Sequence, residues 1–526
     1  MAIDPLVRAL GNLRQQWQLV VTCAFVLPFL TLVGWWVLSY FRSPLRRYPG
    51  PLLAGWTNLW RLFAVQSGCY PSLIRKLHDR YGPILRIGPN LLDLDYPELI
   101  NTIYGTDDKW LKTEFYHNQS TVVDGKIVYS IFSTSDPSEH ARMKRPVAKH
   151  FSVGSFAAME PHMDEAIDNL CYQLEHRFID KEGRAKSFDL GEWISYCAWD
   201  LVTAITFSRP YGYMEKGFDF DNTLSDLDKS IDYFTAVGQM PFLDFFLDKN
   251  PIFRLGPPTW SKAAEIALRT IVSRQKGEDK AYDPQVPDLL HHFMETKFSH
   301  PDAVDDATLL GYCFIPLVAG ADTTAIIIRA VFYFTLRNPD IYRKLQDELL
   351  SAGFGAEKPA PYNAARALPY LEAVIREAMR LHPSIPMPME RYVPSAGLRL
   401  PDGSYVPPNV AVGIGPYTIG RNRNLWGPDA DVFRPERWLQ ALGESSAAYQ
   451  ERLRAMKAAD LVFGAGSRIC LGRHLALIEI YKMVATLASR FEIELTDRSR
   501  EWTVVGSWFF RQTGIICNFK RRGPTA

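Results

Sequence analysis

The chain has 526 residues, with 59 Lys and Arg against 58 Asp and Glu for a formal net charge of +1. So even a balance gives no electrostatic case for binding nucleic acid. Seven scattered cysteines, an odd number, argue against a disulfide framework and fit a reducing compartment. No Gly/Ser linker, internal repeat or low-complexity block interrupts residues 60–520, so one large, mainly helical domain is expected.

At the N-terminus, residues 19–38 (LVVTCAFVLPFLTLVGWWVL) carry no charge and are long enough, as a helix, to cross a bilayer. Trp17, Trp35, Trp36 and Tyr40 sit near the ends of this run, as interfacial aromatics do. Arg42, Arg46 and Arg47 follow it, against Arg8 and Arg14 with Asp4 before it, a small basic bias that favours a cytoplasmic domain. A cleaved signal peptide is the competing reading, but its apolar core is usually shorter and a small-residue cleavage site should follow. Pro28 is compatible with a spanning helix. Tyr48-Pro49-Gly50-Pro51 then predicts a stiff turn. Three segments are expected: an anchor over 1–41, a basic, proline-rich hinge over 42–58, and a folded domain over 59–526.

Farther on, Glu139-His140-Ala141-Arg142-Met143-Lys144-Arg145 is a run rich in cations and donors. From Ala303 to Arg337 the pattern predicts one long helix, ended by Asn338-Pro339. Leu309 to Ala321 carries no charge, which marks a helix through the core, too short to span a membrane. Asp322, Thr323 and Thr324 then interrupt the apolar run and need partners, because burying them unpaired is costly. On the residues alone, Asp322 bonded to nearby backbone and Thr323 bonded to the preceding turn are as good an account as a functional role. Pro316 removes the ladder bond to Tyr312 and should kink or widen the helix.

Leu371, Val374, Ile375, Ala378 and Met379 mark an amphipathic helix ending near His382-Pro383. Glu377 and Arg380 are i, i+3 neighbours on it, ordinarily a surface pair. Arg391 follows in Met387-Pro388-Met389-Glu390-Arg391, and Arg437 lies in Phe433-Arg434-Pro435-Glu436-Arg437-Trp438.

Near the C-terminus, Phe463-Gly464-Ala465-Gly466-Ser467-Arg468-Ile469-Cys470-Leu471-Gly472 frames one cysteine with glycines. Good helix formers from Arg473 to Ala488 place Cys470 just ahead of a helix N-terminus, where free N–H groups favour a thiolate. Gly466 and Gly472 should let the backbone pass close to something flat and bulky, and Arg468 offers a cation for a carboxylate. A core cysteine, a zinc ligand aided by His474, and a nucleophile are the bland alternatives. The absence of any Cys-x-x-Cys pair weakens the zinc reading. A thiolate, a close-approach loop and a carboxylate clamp together describe a haem with a proximal cysteine.

The ten-residue frame resembles the cytochrome P450 signature Phe-x-x-Gly-x-Arg-x-Cys-x-Gly, and the likeness runs over residues 45–520 with its motifs in order. It is most similar in style to fungal microsomal enzymes of the pisatin demethylase type. The resemblance implies the P450 fold, mainly α with small β-sheets, behind one N-terminal transmembrane helix. It implies haem b with Cys470 as the axial iron ligand, and Arg468 and Arg391 on its propionates. Phe463, Gly466 and Gly320 would lie close to the haem, Gly320 leaving room for dioxygen. Asp322 and Thr323 would deliver protons. His140 and Lys144 stand where the family has Trp-x-x-x-Arg, which leaves open whether they hold propionates, and Gly420-Arg421 departs from the usual His-Arg pair. Glu377, Arg380 and Arg437 would form a structural network, with Trp438 in place of a family phenylalanine. By analogy the substrate pocket is walled by Phe115, Tyr116, Val122, Val123, Phe242, Ile385, Met387 and Trp508, suited to a greasy or ring-bearing molecule.

The implied activity is a membrane-anchored haem-thiolate monooxygenase of fungal secondary metabolism. It would oxidise an apolar organic molecule by hydroxylation, epoxidation, demethylation or further oxidation, using O2 and electrons from NADPH. Nothing in the chain resembles a flavin or nicotinamide domain, so a separate NADPH-cytochrome P450 reductase is implied, docking near Lys144, Arg145 and Arg473. The implied location is the endoplasmic reticulum membrane, single-pass, with the catalytic domain cytoplasmic. The rivals are a haem-thiolate isomerase or dehydratase that needs no reductase, and a non-catalytic haem-binding protein. Isomerases of this kind often lose the acid–alcohol pair that this chain keeps as Asp322-Thr323.

Overall fold

A long helix, α1 (Asp4–Arg42), opens the computed structural model, which describes residues 4–123, 125–180, 184–256, 261–355 and 358–522. Its Val20–Arg42 stretch has a mean hydropathy of 2.1 and buries none of its length against the rest of the chain. The helices that matter below are α2 (Pro137–Lys144), α3 (Glu160–Phe178), α4 (Leu190–Phe207), α5 (Thr223–Val237) and α6 (Leu289–Ser299). They are followed by α7 (Asp306–Ala319), α8 (Ala321–Arg337), α9 (Pro369–Leu381) and α10 (Arg473–Arg490).

The expected hinge is not a free connector, because its apolar side chains are better placed in the domain than in water. Leu45 is fully buried, and Tyr48 donates its hydroxyl to the Tyr405 carbonyl at 3.0 Å. Arg86 knits the segment to the first strand: its amide donates to the Pro49 carbonyl at 2.7 Å, and its guanidinium donates to Ser43 Oγ and the Gly55 carbonyl, each at 3.0 Å. A Cβ at Gly50 would lie 2.2 Å from the Arg86 carbonyl oxygen, so only glycine permits this approach. The domain therefore begins near Ser43 and not at residue 59.

A small four-stranded sheet runs in the order Ile84–Gly88, Leu91–Leu94, Ala411–Gly413, Arg391–Tyr392. Pairing of Arg391 with Val412 fixes where the Arg391 side chain emerges. A three-stranded sheet (Phe491–Leu495, Ile516–Arg521, Phe188–Asp189) and three two-stranded ribbons complete the described β structure. The main core is helical, with α3, α4, α7, α8, α9 and α10 sharing one apolar cluster.

The single long helix expected over 303–337 is two helices, α7 and α8, meeting at Gly320. It starts at Asp306, not Ala303, because the Asp305 side chain caps it by accepting from the Thr308 amide at 2.8 Å. Pro316 offers no N–H to the ladder, and two turns later the Thr324 amide reaches the Gly320 carbonyl at a stretched 3.4 Å. The interruption falls where the polar residues begin.

Candidate active site

Along α7 and α8 the accessible positions Gly311, Ile315, Ala319 and Thr323 recur every fourth residue and form one stripe. The flanking positions Pro316, Leu317, Val318 and Ala321 are buried, so this stripe in mid-core opens on an internal hollow. The cysteine loop is open in the same way: every residue from Val462 to His474 is partly or fully accessible, and Cys470 is exposed.

Local bonds shape that loop. The Cys470 amide donates to the Phe463 carbonyl at 2.8 Å, Gly466–Arg468 forms a 3-10 turn, and α10 starts three residues past the cysteine. Gly464 and Gly466 take positive φ, +69° and +60°. The reason for Gly466 differs from the expected one. A Cβ there would sit 1.9 Å from the Tyr104 carbonyl oxygen, so the residue is glycine because the chain's own backbone passes it. A Cβ at Gly472 would meet nothing within 4 Å. Although solvent-sized space reaches Cys470, the surrounding protein atoms push its thiol up, against the Gly472 amide and the Arg473 and Lys144 charges that pull it down. A metal ion bound to the sulfur would favour the thiolate. Among the described residues, no group of three His, Cys, Asp or Glu donors includes Cys470.

Beside the loop lies a cluster of cations. Arg391 is buried; its Nη1 donates to the Glu390 carbonyl at 2.8 Å and to the Tyr116 hydroxyl at 3.4 Å. Arg468 donates to the Thr134 carbonyl at 2.9 Å. Lys112, which the sequence did not single out, is buried with its ammonium 4.1 Å from the Tyr116 ring centre and 4.2 Å from that of Phe132. His140 is buried. Among the described residues, none of Lys112, Arg391 and Arg468 forms an ion pair with a carboxylate. Burial and then Arg391 push Arg468 down to about 10, and burial with Arg391 and Arg468 holds Lys112 well below its ordinary range. Burial, then Arg468, Lys144 and Lys112, push His140 down to about 3. Arg391, Arg468 and Lys112, largely withdrawn from solvent and without a carboxylate partner among the described residues, suit an anionic ligand such as a pair of carboxylates. Lys144 is engaged differently, donating to the Ser467 carbonyl at 2.7 Å.

On α8, the expected acid and alcohol are adjacent but face different partners. Asp322 accepts from the Trp199 indole at 3.2 Å; burial raises its carboxyl, while the nearby Arg329 charge opposes the rise. Thr323 lies on the open stripe and donates its hydroxyl to the Ala319 carbonyl at 2.7 Å. Gly320 does not clear space on that stripe. A Cβ there would meet the Pro316 carbonyl at 2.6 Å and Val202 of α4 at 3.3 Å, so its role is close helix packing. The small side chain on the hollow belongs to Ala319.

Glu377, Arg380 and Arg437 do come together, all buried. Arg380 grips Glu377 at 2.7 and 2.9 Å, and Arg437 Nε reaches Glu377 at 3.3 Å. Trp438 donates its indole to the same carboxylate at 2.9 Å, a bond the usual phenylalanine could not make. Arg380 also donates to the carbonyls of Ala430, at 2.6 Å, and Gly420, which ties α9 to the segment leading into the cysteine loop.

Of the expected pocket walls, Phe115, Tyr116, Met387 and Trp508 share one cluster, with Ile385 packed on it. Phe132 and Phe234 pack on the Tyr116 and Trp508 rings, and Ile326 places the cluster one turn from Thr323. The Ser384 hydroxyl donates to the Thr323 carbonyl at 2.6 Å and brings 385–387 alongside the open stripe. Phe242 is not part of this wall: it is 53% exposed on the Pro241–Phe245 turn, at the surface with Phe245 and Phe246. Val122 lies on a partly exposed ribbon (Thr121–Val123 with Lys126–Val128), and the Val123 side chain lies outside the described residues.

The family model described as cytochrome P450 matches residues 49–514. The chain is 45% identical over 498 residues to the cytochrome P450 monooxygenase cfoH of Aspergillus candidus, covering 95% of this chain and 92% of that protein. It is 34% identical to a cytochrome P450 monooxygenase of Aspergillus terreus (87% and 92% covered) and 33% identical to vrtE of Penicillium aethiopicum (93% and 92% covered).

Proposed function

The chain belongs to the cytochrome P450 family and is a haem-thiolate monooxygenase that uses haem b, and from that premise we propose that Cys470 is the axial thiolate. Arg391, Arg468, Lys112 and His140 are the groups for the propionates. The observation that carries this assignment is the cation cluster beside the cysteine loop, which lacks carboxylate partners among the described residues. Haem supplies the redox chemistry by which one atom of dioxygen enters the substrate and the other leaves as water.

All else falls to the chain's own side chains. Lys144 fixes the loop through the Ser467 carbonyl. Glu377, Arg380, Arg437 and Trp438 hold the segment that precedes it and have a structural role. Thr323 presents a hydroxyl oxygen to the hollow with its own proton committed to Ala319, so the oxygen can accept a proton-bearing partner. Asp322, its carboxyl raised by burial against the opposing Arg329 charge, is the acid group beside it. Phe115, Tyr116, Phe132, Phe234, Trp508, Met387 and Ile326 exclude water and select an apolar, ring-bearing substrate.

Electrons come from a separate reductase; NADPH-cytochrome P450 reductase is the proposed partner, with Lys144, Arg145 and Arg473 at its docking face. Residues 1–42 anchor the protein once in the endoplasmic reticulum membrane, with the domain on the cytoplasmic side. The unburied apolar stretch Val20–Arg42 and the following Arg46 and Arg47 support this. A role in fungal secondary metabolism is the setting we favour, given relatives in Aspergillus and Penicillium.

Spectral titration of the purified holoprotein against terpenoid, polyketide and alkaloid scaffolds tests the pocket. A saturable change in the haem spectrum is expected with an apolar ring compound. Phe234→Ala and Trp508→Ala should weaken it while leaving haem content intact. Saturable binding of polar molecules alone would contradict the assignment.

A further inference from the structure

Far along the chain from the cysteine loop, three side chains of α6 aim donor atoms at one point. His291 Nε2 lies 3.3 Å from Glu295 Oε1, and His292 Nδ1 lies 3.4 Å from Glu295 Oε2. One donor atom from each residue lies within 4.8 Å of the others. A tetrahedral ion with ligand bonds of ~2.0–2.1 Å sets neighbouring donors about 3.4 Å apart. Each His–Glu separation, one to each carboxylate oxygen, is close to that spacing. Helical geometry supplies it, since His291 and Glu295 are i, i+4 neighbours and His292 and Glu295 are i, i+3.

The rings are held from outside in the manner of metal ligands. Tyr282 bonds through its hydroxyl to His291 Nδ1 at 2.6 Å, which leaves Nε2 for the Glu295 side. His150 stacks on His292 with ring centres 4.6 Å apart, and is itself bonded to Thr296 Oγ1 at 3.2 Å. The cluster is also reachable: the two histidines are half-buried and Glu295 is exposed. An ion can enter from solvent, and water can complete its coordination.

We propose that His291, His292 and Glu295 form a binding site for a divalent transition-metal ion of the zinc type, with two imidazoles, one carboxylate and solvent as ligands. The bound ion braces the first turns of α6, with the Tyr282 hydroxyl holding the His291 ring in place. This site is independent of the haem chemistry.

The test uses tag-free, haem-loaded protein stripped with a chelator and titrated with zinc against a chromophoric competitor. One zinc per chain is expected for the wild type. Glu295→Gln and His291→Ala should each weaken binding by about tenfold or more, with the haem spectrum unchanged. Zinc should raise the unfolding temperature of the wild type and not of the variants. Equal zinc binding by wild type and both variants, or none by the wild type, would overturn the proposal and leave the cluster as ordinary His–Glu hydrogen bonds.

Discussion

The indole of Trp199 donates to the Asp322 carboxylate at 3.2 Å, joining α4 to the polar break in α8 across 123 residues of sequence. Asp322 is therefore held away from its neighbour Thr323, which alone of the two lies on the open stripe. In the proposed mechanism the two residues divide proton delivery between them. Asp322 would serve from behind the helix, and Thr323 would order the transfer at the hollow.

That division predicts a specific failure. Thr323→Ala should retain haem and substrate binding and still consume NADPH and oxygen. Product per NADPH should fall several-fold as hydrogen peroxide rises, because ordered proton transfer is lost. Thr323→Ser keeps the hydroxyl and should retain much of the coupling. Parallel measurement of NADPH, peroxide and product decides it; unchanged product per NADPH in the alanine variant would reduce Thr323 to a core residue bonded to its own helix.

Removing Glu377 should be far more damaging than its i, i+3 spacing suggests. Glu377→Ala leaves two buried guanidiniums and the Trp438 indole without their common acceptor, a cost of about 3–5 kcal/mol. Haem-loaded protein should fail to accumulate, or should unfold at a much lower denaturant midpoint. Trp438→Phe, which removes one neutral donor, should cost about 0.5–1.5 kcal/mol. A Glu377→Ala protein as stable as the wild type would contradict the structural role.

These relationships differ in how far the sequence reveals them. The Cys470 loop is contiguous, so its frame can be read directly, as can the helical spacing of Glu377 and Arg380. Lys112 cannot be recognised in the same way, because the neighbours that make it unusual, Arg391 and Arg468, come from elements hundreds of residues away. The same holds for Trp199 and Asp322. Phe242 illustrates the reverse error: an aromatic side chain in the right region proves to be at the surface, since burial is a tertiary property. Two glycines carry the same lesson. Gly466 and Gly320 are required by backbone and helix neighbours that only the fold brings together.

Docking of the hinge makes the anchor boundary testable. Deleting residues 1–42 should release haem-loaded protein from membranes with its ferrous-carbonyl spectrum intact. Extending the deletion through Gly50 removes the buried Leu45 and Tyr48 and the Pro49 carbonyl that accepts from Arg86. That longer deletion should lower stability by about 2–5 kcal/mol and reduce haem retention. Equal stability of the two truncations would show the hinge to be a mere linker.

Glu479 of α10 gives a pH signature. Both its carboxylate oxygens are buried without a hydrogen-bond partner among the described residues, and burial pushes its carboxyl well above the ordinary value. The folded state thus binds this proton more tightly than the unfolded state. Its contribution to stability is complete below the unfolded pKa and is lost as pH rises toward the raised folded value. Unfolding temperatures measured across that window should fall with rising pH more steeply in the wild type than in Glu479→Gln. Parallel curves for the two proteins would contradict a raised Glu479.

Direct evidence for the central claim comes from the carbonyl difference spectrum of Cys470 variants. Wild-type ferrous protein with carbon monoxide should show the red-shifted absorption band of a thiolate-ligated haem. Cys470→Ala should lose that band. Cys470→His, which offers a neutral ligand in place of the thiolate, should bind haem with an unshifted carbonyl band. Survival of the red-shifted band in either variant would show that Cys470 is not the axial thiolate.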